Sequence, residues 1–139
     1  MNAIDKLSDH EIIARTAYGE CRGGGSDGMQ SVINVIMNRA KNPSWWGTDP
    51  RSVCLKPYQF SCWIPGTLDY QATLNDPDDF PSMANALNLA QQAINGTLTD
   101  MTNGACYYIA ASINPWPHWC EGHTPCANIA SQLFFNDID

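Results

Sequence analysis

Of the three glutamates in this chain, Glu20 stands where a carboxylate could do chemistry. It lies in Tyr18-Gly19-Glu20-Cys21-Arg22-Gly23, at the end of a predicted helix and just before Gly23-Gly24-Gly25. A helix that delivers a lone carboxylate to its own glycine-rich end suits an acid/base group at the floor of a cleft. The plainer reading is an exposed helical glutamate, the usual fate of that residue type. A carboxyl group acts as an acid near neutral pH only if an apolar surround raises its pKa. Tyr18, Phe60 and Tyr107 are the candidate walls. A partner carboxylate, if one takes part, would come from Asp76, Asp78 and Asp79, although a solvated, helix-capping face suits that cluster better.

Groups that could bind a sugar are also present. All five tryptophans fall between Trp45 and Trp119, and three of them lie in the aperiodic stretch from Ser44 to Asp79. Aromatic rings stack on sugar faces, while amides and hydroxyls bond hydroxyl and N-acetyl groups. Core packing is the plain reading of any single tryptophan, but five in a chain this short predict at least one exposed platform. Val53-Cys54-Leu55 and Gln59-Phe60-Ser61-Cys62-Trp63 read as short strands around Lys56-Pro57-Tyr58. Alternation along the second would turn Gln59, Ser61 and Trp63 toward the sugar and Phe60 and Cys62 away from it.

The elements that must position these groups are mainly helical. Ser8-Asp9-His10-Glu11 is a capping box, and Ile12, Ile13, Ala14, Ala17 and Tyr18 continue it as a helix from about Asp9 to about Cys21. Ser26 or Asp27 caps a second helix, with Met29, Val32, Ile33, Ile36 and Met37 at helical spacing and an end near Asn42-Pro43. The two form a hairpin with Glu20 where they diverge. A third helix opens at Asp79-Phe80-Pro81-Ser82, buries Met83, Leu87, Ala90 and Ile94, and stops at Asn95-Gly96. Ala105 to Ile109 reads as a buried strand or helix start, and the loop-rich tail from Asn114 ends on Leu133-Phe134-Phe135.

The chain has 139 residues, a size that predicts one domain over 1–139. Its net charge of -7, with seven scattered Lys and Arg, argues against nucleic-acid binding and against a polybasic membrane grip. No apolar run is long enough for membrane insertion. No secretory leader is visible at Met1-Asn2-Ala3-Ile4-Asp5-Lys6, yet six cysteines point to disulfides and an oxidising destination. The two signs conflict unless a leader has been removed or the exit route needs none. Cys54–Cys62 is one bridge expected, and Cys120–Cys126, or a bridge linking the tail to the core, is another. His118, Cys120, His123 and Cys126 could instead hold zinc, but their spacing is tighter than regular zinc loops. Neither a metal nor a cofactor is expected. Gly28-Met29-Gln30 falls inside the second helix, where Met29 is core.

Ala14-Arg15-Thr16-Ala17-Tyr18-Gly19-Glu20-Cys21-Arg22-Gly23, followed by a helix ending in Asn38-Arg39, resembles the SleB-like family of cell-wall hydrolases. Gln59-Phe60-Ser61-Cys62-Trp63 is similar to that family's Q-F-S-x-W block, and Ala105 to Tyr108, Pro115-Trp116 and Ile129 to Phe135 to its later blocks. The resemblance runs from about Leu7 to Phe135. It implies a mainly α (α+β), compact lysozyme-like domain, here with a helix hairpin and a short β-hairpin. The implied activity is cleavage of the N-acetylmuramic acid to N-acetylglucosamine bond of peptidoglycan, usually as a lytic transglycosylase, with the catalytic glutamate at Glu20. Gln59, Ser61, Trp63, Tyr107, Tyr108 and Trp116 are the expected substrate contacts. Four positions depart from the family pattern: Cys21, Cys106, Gly24 in place of a frequent glutamate, and Gln132 in place of a histidine.

A single glutamate fits this chemistry, because water-adding glycosidases generally use two carboxylates whereas a lytic transglycosylase uses the sugar's own C6 hydroxyl. A hydrolytic muramidase and an inactive glycan-binding module are the alternatives. The expected protein is a monomer acting on glycan strands in the periplasm or cell wall, and its size and lack of a visible leader suit a phage endolysin released by a holin.

Overall fold

The computed structural model describes residues 4–67, 70, 73 and 80–138. Helix α1 (Asp9–Cys21) starts at the expected capping box: Ser8 Oγ accepts the Glu11 N–H at 3.1 Å and Glu11 Oε1 accepts the Ser8 N–H at 3.3 Å. Its Ile12, Ile13, Ala14 and Ala17 are fully buried. A 3₁₀ turn at Arg22–Gly24 leads into α2 (Gly25–Lys41), which starts one residue before Ser26 and has no side-chain cap. Gly25 takes a left-handed φ of +68° there, turning the chain so tightly that helical bonding resumes at once. The helix hairpin is as expected.

The segment read as a strand at Val53-Cys54-Leu55 is instead helix α3 (Pro50–Leu55). Asp49 accepts the Ser52 N–H at 2.8 Å, Ser52 Oγ accepts the Asp49 N–H at 3.2 Å, and Pro50 fills the first helical position. Together these three residues outweigh the β propensity of one valine. The partner strand is absent too, since Ser61–Trp63 forms a 3₁₀ turn. The β-hairpin exists elsewhere. Strands β1 (Tyr107–Ala110), β2 (Ala127–Ile129) and β3 (Gln132–Phe135) form an antiparallel sheet in the order β1-β3-β2, with Tyr107 opposite Phe135 and Tyr108 opposite Phe134.

Helix α4 (Phe80–Asn95) stops at Gly96, whose φ is +78°. Its buried face is Met83, Ala86, Leu89, Ala90 and Ala93, while Leu87 is half-buried and Ile94 is exposed. The face is therefore turned from the one expected, because three small alanines let α4 lie close on α1 and α2. Residues of α1, α2, α3, α4 and the Phe60–Cys62 turn share one core.

All six cysteines are free thiols, which corrects both expected bridges. Several thiols face oxygens instead of one another: Cys62 Sγ lies 3.8 Å from the Thr16 carbonyl, Cys120 Sγ 3.3 Å from that of Pro117, and Cys126 Sγ 3.2 Å from that of Thr102. Burial pushes the Cys54 thiol up to about 12, so it stays protonated and inert. His118 pairs with Glu121 at 3.3 Å and His123 with Asp137 at 3.1 Å. Among the described residues no helix is long and apolar enough to cross a membrane. Asp76, Asp78 and Asp79 lie outside the described residues.

Candidate functional site

Glu20 projects from the last turn of α1 into a cleft of about 500 Å³ lined by Arg39, Trp45, Gln59, Phe60, Tyr107, Tyr108, Trp119 and Ile138. The preceding glycine explains how its carboxylate meets the Phe60–Trp63 turn. A side chain at Gly19 would collide with Thr73 and come within 2.6 Å of Cys62 Cβ. Without one, the turn lies directly on the helix, and the Cys62 N–H donates to Glu20 Oε2 at 3.2 Å. Ser61 Oγ donates to the same oxygen at 3.3 Å, and the Tyr108 hydroxyl donates to Oε1 at 3.4 Å. Each of these bonds favours the carboxylate, yet burial outweighs them and Glu20 is held above the ordinary 4.5. Burial, with the Glu20 charge beside it, also pushes the Tyr108 phenol well up, so Tyr108 stays a protonated donor.

The opposite wall is set by the end of α2. Asn38 Nδ2 donates to the Ala105 carbonyl at 3.0 Å and to Asp100 Oδ2 at 3.0 Å, and Arg39 Nε donates to the Cys106 carbonyl at 2.7 Å. These bonds grip the backbone that leads into β1 and so place Tyr107 and Tyr108. The Arg39 guanidinium lies 5.4 Å from the Trp46 ring centre, 5.7 Å from Phe60 and 5.4 Å from Tyr107. Trp46 is buried, with its indole N–H on the Arg39 carbonyl at 2.9 Å. Trp45 and Trp119, at 51% and 41% exposed, are the rings free to stack on a ligand. Trp119 lies 5.2 Å from Tyr107, extending the aromatic wall.

The expected contacts divide. Gln59, Tyr107 and Tyr108 line the cleft, and Ser61 bonds Glu20. Trp63 does not line it. Its indole N–H donates to the buried Thr16 Oγ1 at 2.8 Å, and its ring borders a different hollow with Leu55, Pro57, Tyr58, Ile64 and Pro65. Trp116 packs edge-on against Phe135 at 5.7 Å, away from the lining. With no strand at 59–63, strand alternation does not decide which of these side chains meet the cleft. Phe60 and Cys62 are buried because the turn inserts them into the core. Arg39, Trp45, Trp119 and Ile138 were not anticipated as lining. For Arg39 the signal was its place beside Asn38 at the helix end.

Three departures from the family pattern meet in space. Cys21 Sγ lies 3.8 Å from Gln132 Oε1, and a side chain at Gly24 would come within 2.9 Å of that sulfur and 3.0 Å of Ala130 Cβ. A thiol at 21 thus goes with a bare backbone at 24 and an acceptor at 132.

No curated protein matches the chain. Two solved structures share its fold. The catalytic domain of the germination-specific lytic transglycosylase SleB from Bacillus anthracis is 24% identical, with a TM-score of 0.68 over 94% of this chain and 97% of that one. The catalytic domain of the Bacillus cereus SleB protein is also 24% identical, with a TM-score of 0.68 over 91% of this chain and 88% of that one. The model of the cell wall hydrolase family matches residues 23–135, most of the chain, and this protein belongs to that family.

Proposed function

We propose that this protein cleaves the N-acetylmuramic acid to N-acetylglucosamine bond of peptidoglycan as a lytic transglycosylase, with Glu20 as its single acid/base. The family match begins at residue 23, past Glu20, so the case for that residue rests on its surroundings. The observation that carries it is a half-buried carboxyl with a raised pKa, the one carboxylate among the described residues lining an aromatic cleft. Oε2 takes two donors and Oε1 only the Tyr108 hydroxyl, so Oε1 has the lone pair to hold a transferable proton. Protonated Glu20 gives that proton to the glycosidic oxygen as its bond to C1 breaks. The C6 hydroxyl of the muramic acid then bonds to C1 and returns its proton to the carboxylate, so the enzyme is regenerated and no water is consumed. Trp45 and Trp119 offer stacking faces, and the Gln59 amide, with no hydrogen bond to a described residue, can bond an N-acetyl or hydroxyl group. The whole chain, 1–139, acts as one catalytic domain at the cell wall or in the periplasm.

Mass analysis of muropeptides after digestion tests this reading. Products ending in 1,6-anhydro sugars support it. Reducing ends would replace it with a muramidase that uses water, and binding without products would replace it with a glycan-binding module.

A further inference from the structure

Arg39 is 6% exposed, yet its guanidinium is only partly used by the protein. Nε is committed to the Cys106 carbonyl, while neither terminal nitrogen bonds a described residue. Among the described residues no fully buried side-chain nitrogen or oxygen lacks a partner, so both terminal nitrogens keep an accessible edge. The space that edge opens on is the Glu20 cleft. Arg51 makes the contrast, with its fork filled by the Leu7 and Ile4 carbonyls and by Asp9.

No described carboxylate forms an ion pair with Arg39. Glu20 lines the same cleft, but its pKa is raised, so the guanidinium does not neutralise it. A cation held in an aromatic cage without an anion is costly to desolvate, and a planar fork with both terminal nitrogens free matches a carboxylate in bidentate fashion. Trp46, Phe60 and Tyr107 fix the plane of that fork, so it meets a ligand already oriented. In a chain of net charge -7 such a site also gives a carboxylate-bearing polymer a local attraction that the rest of the surface lacks.

We propose that Arg39 is a carboxylate-binding subsite of the cleft, seating a carboxylate of the glycan strand beside the bond that Glu20 acts on. This inference rests on the peptidoglycan reading above. Two carboxylates of such a strand carry the required chemistry. One is the lactyl carboxylate of a muramic acid that has lost its peptide, and the other is a free carboxylate of the peptide stem.

The test uses the native protein and four substrates: strands stripped of peptide by an amidase, intact strands, and each of these with its carboxylates capped as neutral methylamides. Capping is expected to raise KM by about tenfold or more for one pair while kcat changes by less than about twofold. The pair affected identifies the carboxylate. Arg39→Gln should lose the difference between charged and capped strands, and Arg39→Lys should keep part of it. A purely structural Arg39 would alter folding without selecting among the substrates. Equal KM for charged and capped strands in both pairs overturns the subsite, and that result needs no variant to fold. If none of the strands is cleaved, the lytic reading fails on its own, and calorimetric affinities of the same four strands judge the subsite by the same ratio.

Discussion

The chain between Leu55 and Pro65 borders two hollows. One, of about 500 Å³, holds Glu20 and Arg39 with Gln59 and Phe60 from this segment. The other, of about 410 Å³, is lined by Leu55, Pro57, Tyr58, Trp63, Ile64 and Pro65. Both are open and aromatic, and a search for rings alone would not separate them. They differ in what the helices bring. The first receives a carboxyl from the end of α1 and a guanidinium from the end of α2, each partly withdrawn from water. Among the described residues the second has neither an acid nor a base in its lining. A desolvated carboxyl and a desolvated guanidinium are what mark the first hollow as the candidate site.

The largest expected effect breaks the first hollow at its acid. Glu20→Gln keeps the shape and removes the proton, and turnover should fall by about 10²–10⁴. Stability should move the other way. The folded pKa of Glu20 lies above the ordinary 4.5, so below that value the group is neutral in both folded and unfolded states. As pH rises through the folded pKa, ionisation costs more in the fold than out of it, and the native protein loses stability. Glu20→Gln escapes that loss, so its melting temperature should match the native one near pH 4 and exceed it at pH 7. Equal melting temperatures at both pH values would mean that burial does not govern this carboxyl, and substantial turnover by the folded variant would remove Glu20 from the mechanism.

A second pair of substitutions sharpens the contrast between the hollows. Gln59→Ala should lower kcat/KM by about tenfold, roughly 1.4 kcal/mol of transition-state stabilisation, with little change in melting temperature. Trp63→Phe should do the reverse. It removes the donor to Thr16 Oγ1, a fully buried acceptor, at a cost of about 1–2 kcal/mol. Its rate per folded molecule should stay native, because the ring borders the second hollow and not the Glu20 cleft. A rate loss for Trp63→Phe equal to that for Gln59→Ala would place both on the substrate and undo the distinction.

How far these features can be read without coordinates depends on where their causes lie. Helices α1, α2 and α4 announce themselves through local signals: a capping box, glycine stops and apolar spacing. Glu20 is legible for the same reason, since helix end and glycine run adjoin it in sequence. The hairpin was misplaced because its true turn, Ala130-Ser131, has both residues left-handed at φ 50° and 63° yet lacks the Asn or Gly that normally marks such a turn. Helix α3 is harder to read, because its Asp49/Ser52 capping box lacks the usual Glu or Gln and a β-branched residue follows it. Arg39 could not be placed in the cleft by spacing alone, since its cage joins Trp46, Phe60 and Tyr107 from three separate stretches.

The smallest expected effect concerns Tyr58, where the two hollows divide. The Gln59 N–H donates to the Lys56 carbonyl at 3.1 Å, closing a turn with Pro57 second and Tyr58 third. Tyr58 takes φ +65° and is 82% exposed. That is the type II pattern, in which the third residue is ordinarily Gly or Asn. A left-handed backbone costs an L-residue about 1–2 kcal/mol, and glycine gives back about 0.5–1 kcal/mol in chain entropy. Tyr58→Gly should therefore raise stability by about 0.5 kcal/mol in denaturant titration. The turn itself sends Tyr58 outward and Gln59 and Phe60 to the cleft, and glycine favours the same turn, so turnover should stay within about twofold. A gain in stability with a large loss of turnover would mean that the tyrosine ring itself meets the strand, and the second hollow would then be part of the binding surface.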